Sequence, residues 1–305
     1  MKRLKVVEVN KLPDIKGGHV FNSRDFQSLK EGESKHFVVN DESDTLCRIS
    51  YGLVDNAALS GYQATFGSFD FTVDQDLIKL MIKETSRNIF KSGVELIRIK
   101  HWPLGYPEGE LIHRAFISAG FEIESKEVNQ HLVINEEEFI DRIKKNEKKK
   151  LKQSHNEKFQ FKMLDGSYLL EVYNLVKDTR ERKGFPVSMS FNELEKVFNK
   201  LPDNYHLFGV FDEDVLIAAS VSIRISEKIL YNFYHADLLD YRSRSPLVML
   251  NEGIYNYCKT ENIKLLDLGI SSENGELNEG LFTFKENLGC ATSDKNTYVL
   301  KNVKP

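Results

Sequence analysis

The segment of residues 230–290 restricts the fold of this 305-residue chain more than any other part of its sequence. Three β-rich runs lie in this segment or just before it, and short polar turns separate them, which predicts an antiparallel meander. These runs are residues 208–211, 215–223 and 229–234. A helical pattern and the short apolar run 265–268 follow, so we expect a parallel strand that is reached by a crossover through the helix.

The start of this helix is a candidate anion site. Ser245 suits the N-cap and Pro246 suits the first helical position. Backbone N–H groups at a helix start favour negative charge, and two arginines directly precede this one. We therefore expect a phosphate-bearing ligand to bind at Arg242, Ser243, Arg244 and Ser245. The alternative is that both arginines are ordinary surface charges.

Four motifs occur in order in this part of the chain. They are Tyr234-His-Ala, Ser245-Pro, Asp267-Leu-Gly and Gly280-Leu-Phe-Thr-Phe-Lys with Gly289. In this order the motifs resemble the second domain of the Fem-type transferases, the FemABX-like enzymes within the GNAT acyltransferase superfamily, and the last motif is the most specific. The resemblance implies an α/β fold of tandem GNAT-like domains, each a mixed, mostly antiparallel sheet flanked by helices.

The resemblance also implies site residues. Lys285 is expected to pair with substrate phosphate or with the negative charge that develops during transfer. Tyr234 is expected to donate a proton or position the donor, and Asp267 to orient a neighbour. Gly269 and Phe284 are expected to line the substrate site. The alternatives are a core aromatic for Tyr234 and a strand-end residue that caps local backbone for Asp267. We expect Lys285→Met to lose most activity with little change in melting temperature.

The loop of residues 241–246 departs from the GNAT pattern because it contains no glycine. Backbone without glycine cannot approach a pyrophosphate as closely. We therefore expect weak acetyl-CoA binding and a larger phosphate-bearing ligand near Arg242 and Arg244. Acyl-CoA and aminoacyl-tRNA both stay open as acyl donors, and no permanently bound cofactor is expected.

The first half of the chain repeats the order of elements of the second half. This order predicts a degenerate N-terminal GNAT-like domain at residues 1–155 and a C-terminal GNAT-like domain at residues 156–305. Aligning the glycines that end the corresponding helices places Gly120 opposite Gly289 and Phe116 opposite Lys285. Because it lacks the lysine, the first copy is expected to be structural or to position the substrate.

Two aromatic segments of the first half are candidates for the acceptor cleft. Phe66 and Gly67 resemble the aromatic-Gly turn of the Fem-type family, and Trp102 lies in a proline-containing loop after a predicted strand. The alternatives are that Gly67 is a bulge glycine in a buried strand and that Trp102 belongs to the core.

A basic run at residues 142–152 is predicted to form the helix that closes the first domain. It contains seven basic residues and one glutamate, a composition that suggests binding of tRNA or nucleotide phosphate. The alternative is a solvated helix face.

Composition narrows the class of protein. The net formal charge of −4 argues against a surface that binds nucleic acid everywhere. Cys47, Cys258 and Cys290 form neither a metal-binding spacing nor a disulfide framework, so we expect no metal site and a cytoplasmic location. The N-terminal residues are too polar for a signal peptide, and no apolar run approaches the ~18 residues of a membrane span.

These expectations combine into a function. We expect acyl or aminoacyl transfer to an amine acceptor, a small molecule or a nucleotide-linked compound such as a peptidoglycan precursor or another cell-envelope substrate. One alternative is an acyl-CoA-dependent N-acetyltransferase that acts on a small amine or a nucleotide sugar. The other is a non-catalytic binding module that keeps the GNAT fold.

Overall fold

The computed structural model describes residues 4–15, 17–41, 44–72, 75–273 and 275–302. The elements up to Val133 are β1 (Leu4–Val9), α1 (Arg24–Gln27), β2 (Ser34–Asp41), β3 (Asp44–Val54), β4 (Ala57–Ser60), β5 (Asp70–Phe71), α2 (Gln75–Lys91), β6 (Leu96–Lys100), α3 (Gly109–Ser118) and β7 (Glu122–Val133).

The elements after Val133 are α4 (Phe139–Arg142), α5 (Lys145–Asn156), β8 (Gln160–Leu164), α6 (Leu169–Arg182), α7 (Phe191–Lys200), β9 (Tyr205–Asp212), β10 (Val215–Ser226), β11 (Ile229–Asp237), α8 (Pro246–Thr260), β12 (Leu265–Ile270), β13 (Ser272–Glu273), β14 (Glu276–Leu277), α9 (Glu279–Asn287) and β15 (Ala291–Lys301). Short 3₁₀ helices lie at Val20–Asn22, Gly166–Tyr168 and Leu239–Arg244.

The chain forms two compact units. Unit 1 contains the described residues up to Asn129 together with Ser272–Glu276 and those from Ser293 onward, and unit 2 contains Gln130–Ser271 and Leu277–Thr292. Because these units are defined by contacts, the predicted division into repeated halves at residue 155 stays a prediction. Within the described ranges, we find no helix that is both long enough and apolar enough to cross a membrane.

The sheet of unit 1 follows the order β1-β2-β3-β4-β6-β15-β7, with β5 paired to β3. Strands β1 to β4 pair antiparallel in sequence. Strand β6 is parallel to β4, and α2 supplies the crossover that a parallel pair requires. Strand β15 then pairs antiparallel with β6, so a segment from the far end of the chain completes this sheet.

The sheet of unit 2 has the same plan. Strands β8 to β11 pair antiparallel in sequence, β12 is parallel to β11, and α8 makes the crossover. Strand β7, part of which belongs to each unit, lies beside β12. The predicted meander and the parallel strand are therefore confirmed. The fold class, α/β with mostly antiparallel sheets flanked by helices, is confirmed as well.

The core of unit 2 forms where α8 packs on its sheet. The helix presents apolar side chains at spacings of three and four, and these are buried: Val248, Leu250, Ile254 and Cys258. Burying a side chain such as Leu or Ile contributes about 1.5–3 kcal/mol. This packing holds α8 and the ends of β11 and β12 in one rigid arrangement, which positions the candidate site.

Candidate functional site

Strands β11 and β12 diverge inside unit 2. Their described pairing begins at Ile229 and Leu265 and ends at Tyr231 and Asp267, although β11 continues to Asp237. On its other side, β11 has a β-bulge around Phe233, and a bulge bends a strand and increases its twist. The second half of β11 therefore leaves the parallel ladder and opens a gap beside the end of β12.

Lys285 of α9 reaches the end of β12. Its side chain is buried, with 2% exposed, and its Nζ donates to the carbonyl oxygens of Gly269 (2.8 Å) and Ile270 (2.9 Å). In the described part of the chain, the third N–H of the ammonium group has no partner. The expectation that Lys285 could be replaced at little cost assumed an exposed side chain, and the burial contradicts it.

Burial lowers the pKa of Lys285 to about 8, and the nearby Asp267 and Cys290 oppose this shift. The amine is therefore charged near neutral pH and becomes neutral in mild alkali. A buried ammonium group with one unused N–H can donate to a developing negative charge, as the sequence predicts, but this role stays a prediction.

Asp267 and Gly269 shape the turn that Lys285 contacts. The buried Asp267 carboxylate accepts a hydrogen bond from the Gly269 N–H (2.7 Å). Gly269 has φ of +77°, and a Cβ there would lie 3.3 Å from Cε2 of Tyr231. Only glycine fits this conformation without strain. The local contact of Asp267 matches the strand-end alternative, and a role in orienting a catalytic neighbour stays a prediction.

The ends of α9 and α3 have the same cap. The N–H of Cys290 donates to the Lys285 carbonyl (3.2 Å), and the N–H of Phe121 donates to the Phe116 carbonyl (3.0 Å). The glycine before each donor has positive φ. Lys285 and Phe116 therefore occupy equivalent, buried positions, as the alignment of the two helix-ending glycines predicts.

Positive charges converge on His235 of β11. Burial, together with the charges of Lys285, Lys183 and Arg180, lowers the pKa of His235 to about 3. Lys183 follows α6, and burial together with the charge of Arg242 and other arginines lowers its own pKa. We call Arg180, Lys183, Arg242 and Lys285 the cation cluster.

Asp237 is the carboxylate that faces this cluster most directly. It accepts from Arg242 Nη2 (3.1 Å) and Nε (3.3 Å), while its backbone carbonyl accepts from Arg182 (3.3 Å). Asp237 is buried and Arg242 is exposed. With Asp267 near Lys285, two buried carboxylates face four cations, so the cluster favours a further anion.

Tyr234 lies beside the same cluster. Its hydroxyl is hydrogen-bonded to Ser188 Oγ (2.5 Å), and the Arg180 guanidinium lies 5.8 Å from its ring centroid. Burial raises the pKa of Tyr234, although the Ser188 bond opposes this. Tyr234 is thus a neutral phenol at physiological pH, and its predicted role as a proton donor stays a prediction.

The arginines predicted to hold the donor have different surroundings. Arg242 joins the cation cluster, whereas Arg244 pairs with Glu157 (3.1 Å) and Asp212 (3.6 Å) and lies over the ring of Tyr241. Arg244 is therefore neutralised by carboxylates, a partly structural role that spacing alone does not predict.

The loop before α8 is not shaped as a phosphate cradle. Ser245 occupies the N-cap position, but its φ is +54° and its side chain makes no cap hydrogen bond, so the expected capping contact is wrong. Its backbone N–H donates to the Arg242 carbonyl (3.0 Å), and the N–H of Val248 donates to the Ser245 carbonyl (3.0 Å). Ser243 is exposed in the preceding 3₁₀ helix. These amides are used internally and cannot all turn to a ligand.

The candidates of the first half lie in an aromatic cluster of unit 1. Phe66 is 1% exposed and its ring centroid lies 5.0 Å from that of Phe21. A Cβ on Gly67 would lie 2.2 Å from the backbone N of Gly61, so only glycine fits there. Trp102 is 9% exposed and packs against His101. Packing accounts for all three residues, and their role in binding substrate stays a prediction.

Phe284, the remaining candidate, is half-buried and packs against the core of unit 2. Its backbone carbonyl accepts the N–H of Leu288 at the end of α9. Unit 2 thus brings Lys285, Asp267 and Gly269 together and places Tyr234 and Arg242 at the cation cluster.

Binding of an anion to the cation cluster will raise the pKa of His235. A negative ligand offsets the charges of Lys285, Lys183 and Arg180, and a neighbouring opposite charge shifts a pKa by about 1–3 pH units. We expect this rise when pyrophosphate is added while the imidazole carbon resonances are followed by NMR as a function of pH. His206, whose pKa burial lowers in the neighbourhood of Arg224 and Glu261, is the internal control. An unchanged His235 curve at saturating pyrophosphate would exclude the cluster as the binding site.

Comparison with known proteins places this geometry in context. No family model and no curated protein match the sequence. The structure is similar to that of FemX, with a TM-score of 0.73, 13% identity, and coverage of 94% of this chain and 93% of that chain. It is also similar to L-PGS from Bacillus licheniformis, with a TM-score of 0.55, 13% identity, and coverage of 86% and 83%.

A third similar structure is the C-terminal domain of a candidate lysylphosphatidylglycerol synthetase from Agrobacterium fabrum, with a TM-score of 0.56, 10% identity, and coverage of 84% of this chain and 82% of that chain. Identities this low establish a shared fold. The chain therefore has the fold of FemX, which confirms, at the level of the fold, the resemblance that its motifs predict.

Proposed function

We propose that this chain transfers an acyl or aminoacyl group from an activated donor to the amine of a phosphate-bearing acceptor. One observation carries the proposal: Arg180, Lys183 and Lys285 act on His235 in the part of β11 that leaves β12, and Arg242 pairs with Asp237 two residues further on. An opening between two strands, with buried positive charge beside it, suits an anionic substrate whose reactive end enters the gap. The fold shared with FemX agrees with this reaction class.

The chemistry needs three contributions from the protein. The acceptor nitrogen must be neutral to attack the acyl carbonyl carbon, so it loses a proton to a base or to the phosphate of the substrate. A C–N bond forms, the C–O or C–S bond to the donor breaks, and the leaving oxygen or sulfur takes a proton. In the tetrahedral intermediate the carbonyl oxygen becomes negatively charged and needs a hydrogen-bond donor. We assign this role to the unused N–H of Lys285.

The remaining cations hold the acceptor. Arg180, Arg242 and the carboxylate of Asp237 all act on Lys183, and charge-assisted contacts to phosphate are stronger than neutral hydrogen bonds. A nucleotide-linked acceptor, such as a peptidoglycan precursor, supplies both the phosphates and the amine. As the acyl donor for this acceptor we propose cytoplasmic aminoacyl-tRNA, by analogy with the FemABX-like enzymes that the chain resembles.

Transfer can be measured directly. The purified chain is incubated with a mixture of aminoacyl-tRNAs and a nucleotide-linked muropeptide, and the acceptor is analysed by mass spectrometry. The proposal requires a mass increase of one amino-acid residue. Acetylation that needs acetyl-CoA would instead support the small-amine N-acetyltransferase. Ligand binding without transfer from any donor would support the non-catalytic module.

Acetyl-CoA will bind weakly, with a Kd above about 1 mM, which corresponds to less than about 4 kcal/mol of binding free energy. The reason is that the amides before α8 are bonded within the loop and the loop contains no glycine. Calorimetric titration measures this affinity. Tight binding would contradict this expectation, and tight binding that survives Arg242→Ala combined with Arg244→Ala would also show that acetyl-CoA does not use these arginines.

A further inference from the structure

We propose that Asn232 is a further catalytic residue of unit 2: its side-chain N–H is a second donor, beside that of Lys285, to the acyl oxygen on which negative charge develops. Asn232 lies on β11 and directly follows Tyr231, the last residue of the described pairing with β12. It is therefore the first residue of β11 in the gap between the two strands. The inference rests on the proposed function, because it assigns a residue to the transfer reaction.

The β-bulge of β11 places two polar side chains on one face of the sheet. Asn232 lies opposite Ser222 of β10, and His235 lies opposite Ser220, while Phe233 is the extra residue of the bulge. Because Ser220 and Ser222 are two positions apart on one strand, they share a face, and the residues directly opposite them share it too. Without the bulge, residues three positions apart on a strand would point to opposite faces.

A chain of hydrogen bonds fixes the direction of the Asn232 amide. The hydroxyls of Ser220 and Ser222 are hydrogen-bonded to each other (2.9 Å), and Ser220 Oγ donates to Asn232 Oδ1 (2.5 Å). A separation of 2.5 Å is usual for an O–H···O contact and too short for an N–H···O contact, so the atom that faces Ser220 is the amide oxygen. The amide nitrogen of Asn232 therefore points away from the serines.

This amide nitrogen has no partner, yet it stays within reach of a ligand. Asn232 is 3% exposed, and in the described part of the chain its Nδ2 forms no hydrogen bond. Packing does not close off this nitrogen completely, as it does the unpartnered Nε2 of His206. Buried donors are nearly always paired, so a reachable donor without a partner indicates that an acceptor atom is missing.

His235 indicates that this face of β11 opens to the gap. Its side chain is half-buried, and among the described residues neither of its ring nitrogens has a hydrogen-bond partner or is closed off by packing. The charge of Lys285 acts on the imidazole, so the ammonium group lies near the same part of β11. Solvent or a bound substrate therefore occupies the space beside Asn232 and His235.

Asn232 and Lys285 lie at neighbouring levels along the gap. Tyr231 is opposite Asp267 in the parallel register, so Asn232 is level with the residue that precedes Gly269. The carbonyl oxygen of Gly269 in turn accepts from Lys285 Nζ (2.8 Å). The β11 side of the gap thus supplies a neutral N–H and the β12 side an ammonium N–H. Preorganised donors of this kind stabilise the oxyanion of acyl transfer, and asparagine side chains are among the groups that serve.

Two substitutions of Asn232 in the full chain test this role. Asn232→Asp keeps the oxygen that Ser220 contacts but adds a negative charge, whereas Asn232→Leu adds no charge, and both lack the N–H. With aminoacyl-tRNA and a nucleotide-linked muropeptide, we expect both to lower kcat about 100-fold or more and to change KM by less than about threefold, as for the loss of one oxyanion donor. Asn204→Asp is the matched control, because its Nδ2 donates to the Arg224 carbonyl (2.8 Å) away from the gap, and it should leave kcat unchanged.

A binding experiment on the wild-type protein separates failure of this inference from failure of the proposed function, and it does not depend on the folding of a variant. The probe is a 3′-aminoacylamino-adenosine, a stable amide analogue of the charged tRNA end. We expect it to shift both the side-chain N–H resonances of Asn232 and the ring resonances of His235 in NMR spectra. A shift at His235 without one at Asn232, or normal kcat in both Asn232 variants, would overturn the role of Asn232 and leave the proposed function intact. No shift at either residue with millimolar probe, together with no transfer by the wild-type protein, would overturn both.

Discussion

The free energy of unfolding of the wild-type protein, relative to that of a Lys285→Met variant, will rise by about 3 kcal/mol between pH 7 and pH 10.5. The folded-state pKa of Lys285 is about 8, against 10.5 for an ordinary lysine. Between these values the unfolded state binds more protons than the folded state. Stability therefore increases as the pH rises, because the cost of burying the charged amine disappears when the amine becomes neutral.

Chemical denaturation at a series of pH values measures this difference. The comparison cancels the contribution of Lys30, whose pKa burial also lowers to about 8, because both proteins contain it. Lys285→Arg is the second control. A guanidinium stays charged throughout this pH range, so this variant should lack the rise in stability that the wild-type protein shows. A difference curve that is flat from pH 7 to 10.5 would mean that Lys285 is solvated in solution.

The same variants report on activity once a substrate is in hand. A charge-assisted hydrogen bond to the reacting oxygen contributes roughly 1.5–3 kcal/mol, so Lys285→Met should slow transfer about 10–150-fold. Lys285→Arg should recover only part of the rate, because a planar fork replaces a compact ammonium group. Normal turnover in Lys285→Met would remove this residue from the site.

Replacing Arg180 and Lys183 together with glutamine will weaken binding of a nucleoside diphosphate by about 100-fold or more, because each charge-assisted contact contributes roughly 1.5–3 kcal/mol. Both charges act on His235, so both lie close to the gap beside β11. UDP is a suitable probe, and isothermal titration measures its affinity. The melting temperature of the variant serves as the check on folding, since Arg180 also donates to the Pro186 carbonyl.

Arg182→Gln is the matched control for this double variant. Its guanidinium donates to Thr179 and to the Asp237 carbonyl, and it is not among the charges that lower the pKa of His235. We expect Arg182→Gln to change UDP affinity by less than about threefold, the range of a screened surface charge. If the two variants lose affinity equally, the effect is one of net charge and the cluster is not a defined site.

The elements of unit 2 could be predicted from the sequence because each depends on local pattern. The runs that became β9, β10 and β11 are β-rich and bounded by polar turns, and Pro246 does begin α8. The short apolar run after α8 became β12, parallel to β11 as expected. Period and turn chemistry are sufficient for such features.

The site was harder to predict because its residues meet only through packing. Arg180 lies at the end of α6, Lys183 directly follows it, and His235 lies on β11, so no motif joins them. In the sequence, a charged helix end is as consistent with a solvated terminus as with a binding site. Arg244 looked available to a ligand, but Glu157 and Asp212 neutralise it, and sequence spacing does not show which acids a fold brings near an arginine.

The sequence contains one indication that Lys285 is buried, although its residue type argues against burial. A lysine is almost never fully buried, so type alone predicts exposure. The alignment of Gly289 with Gly120 places Lys285 opposite Phe116, however, and an aromatic at that position indicates the core. Phe116 is fully buried. Comparing the two halves of one chain therefore carries information about burial that the lysine itself does not.

The position of β15 has a consequence for synthesis on the ribosome. Unit 1 needs β15 to pair with β6, so its sheet stays incomplete until residue 301 has emerged, long after β6. Unit 2 uses β7, which is translated before the rest of that unit. We therefore expect the nascent unit 1 to present the unpaired edge of β6 while unit 2 is being translated. Open strand edges can pair with non-native strands. The growing chain therefore most needs a chaperone during the period in which this edge of β6 is unpaired.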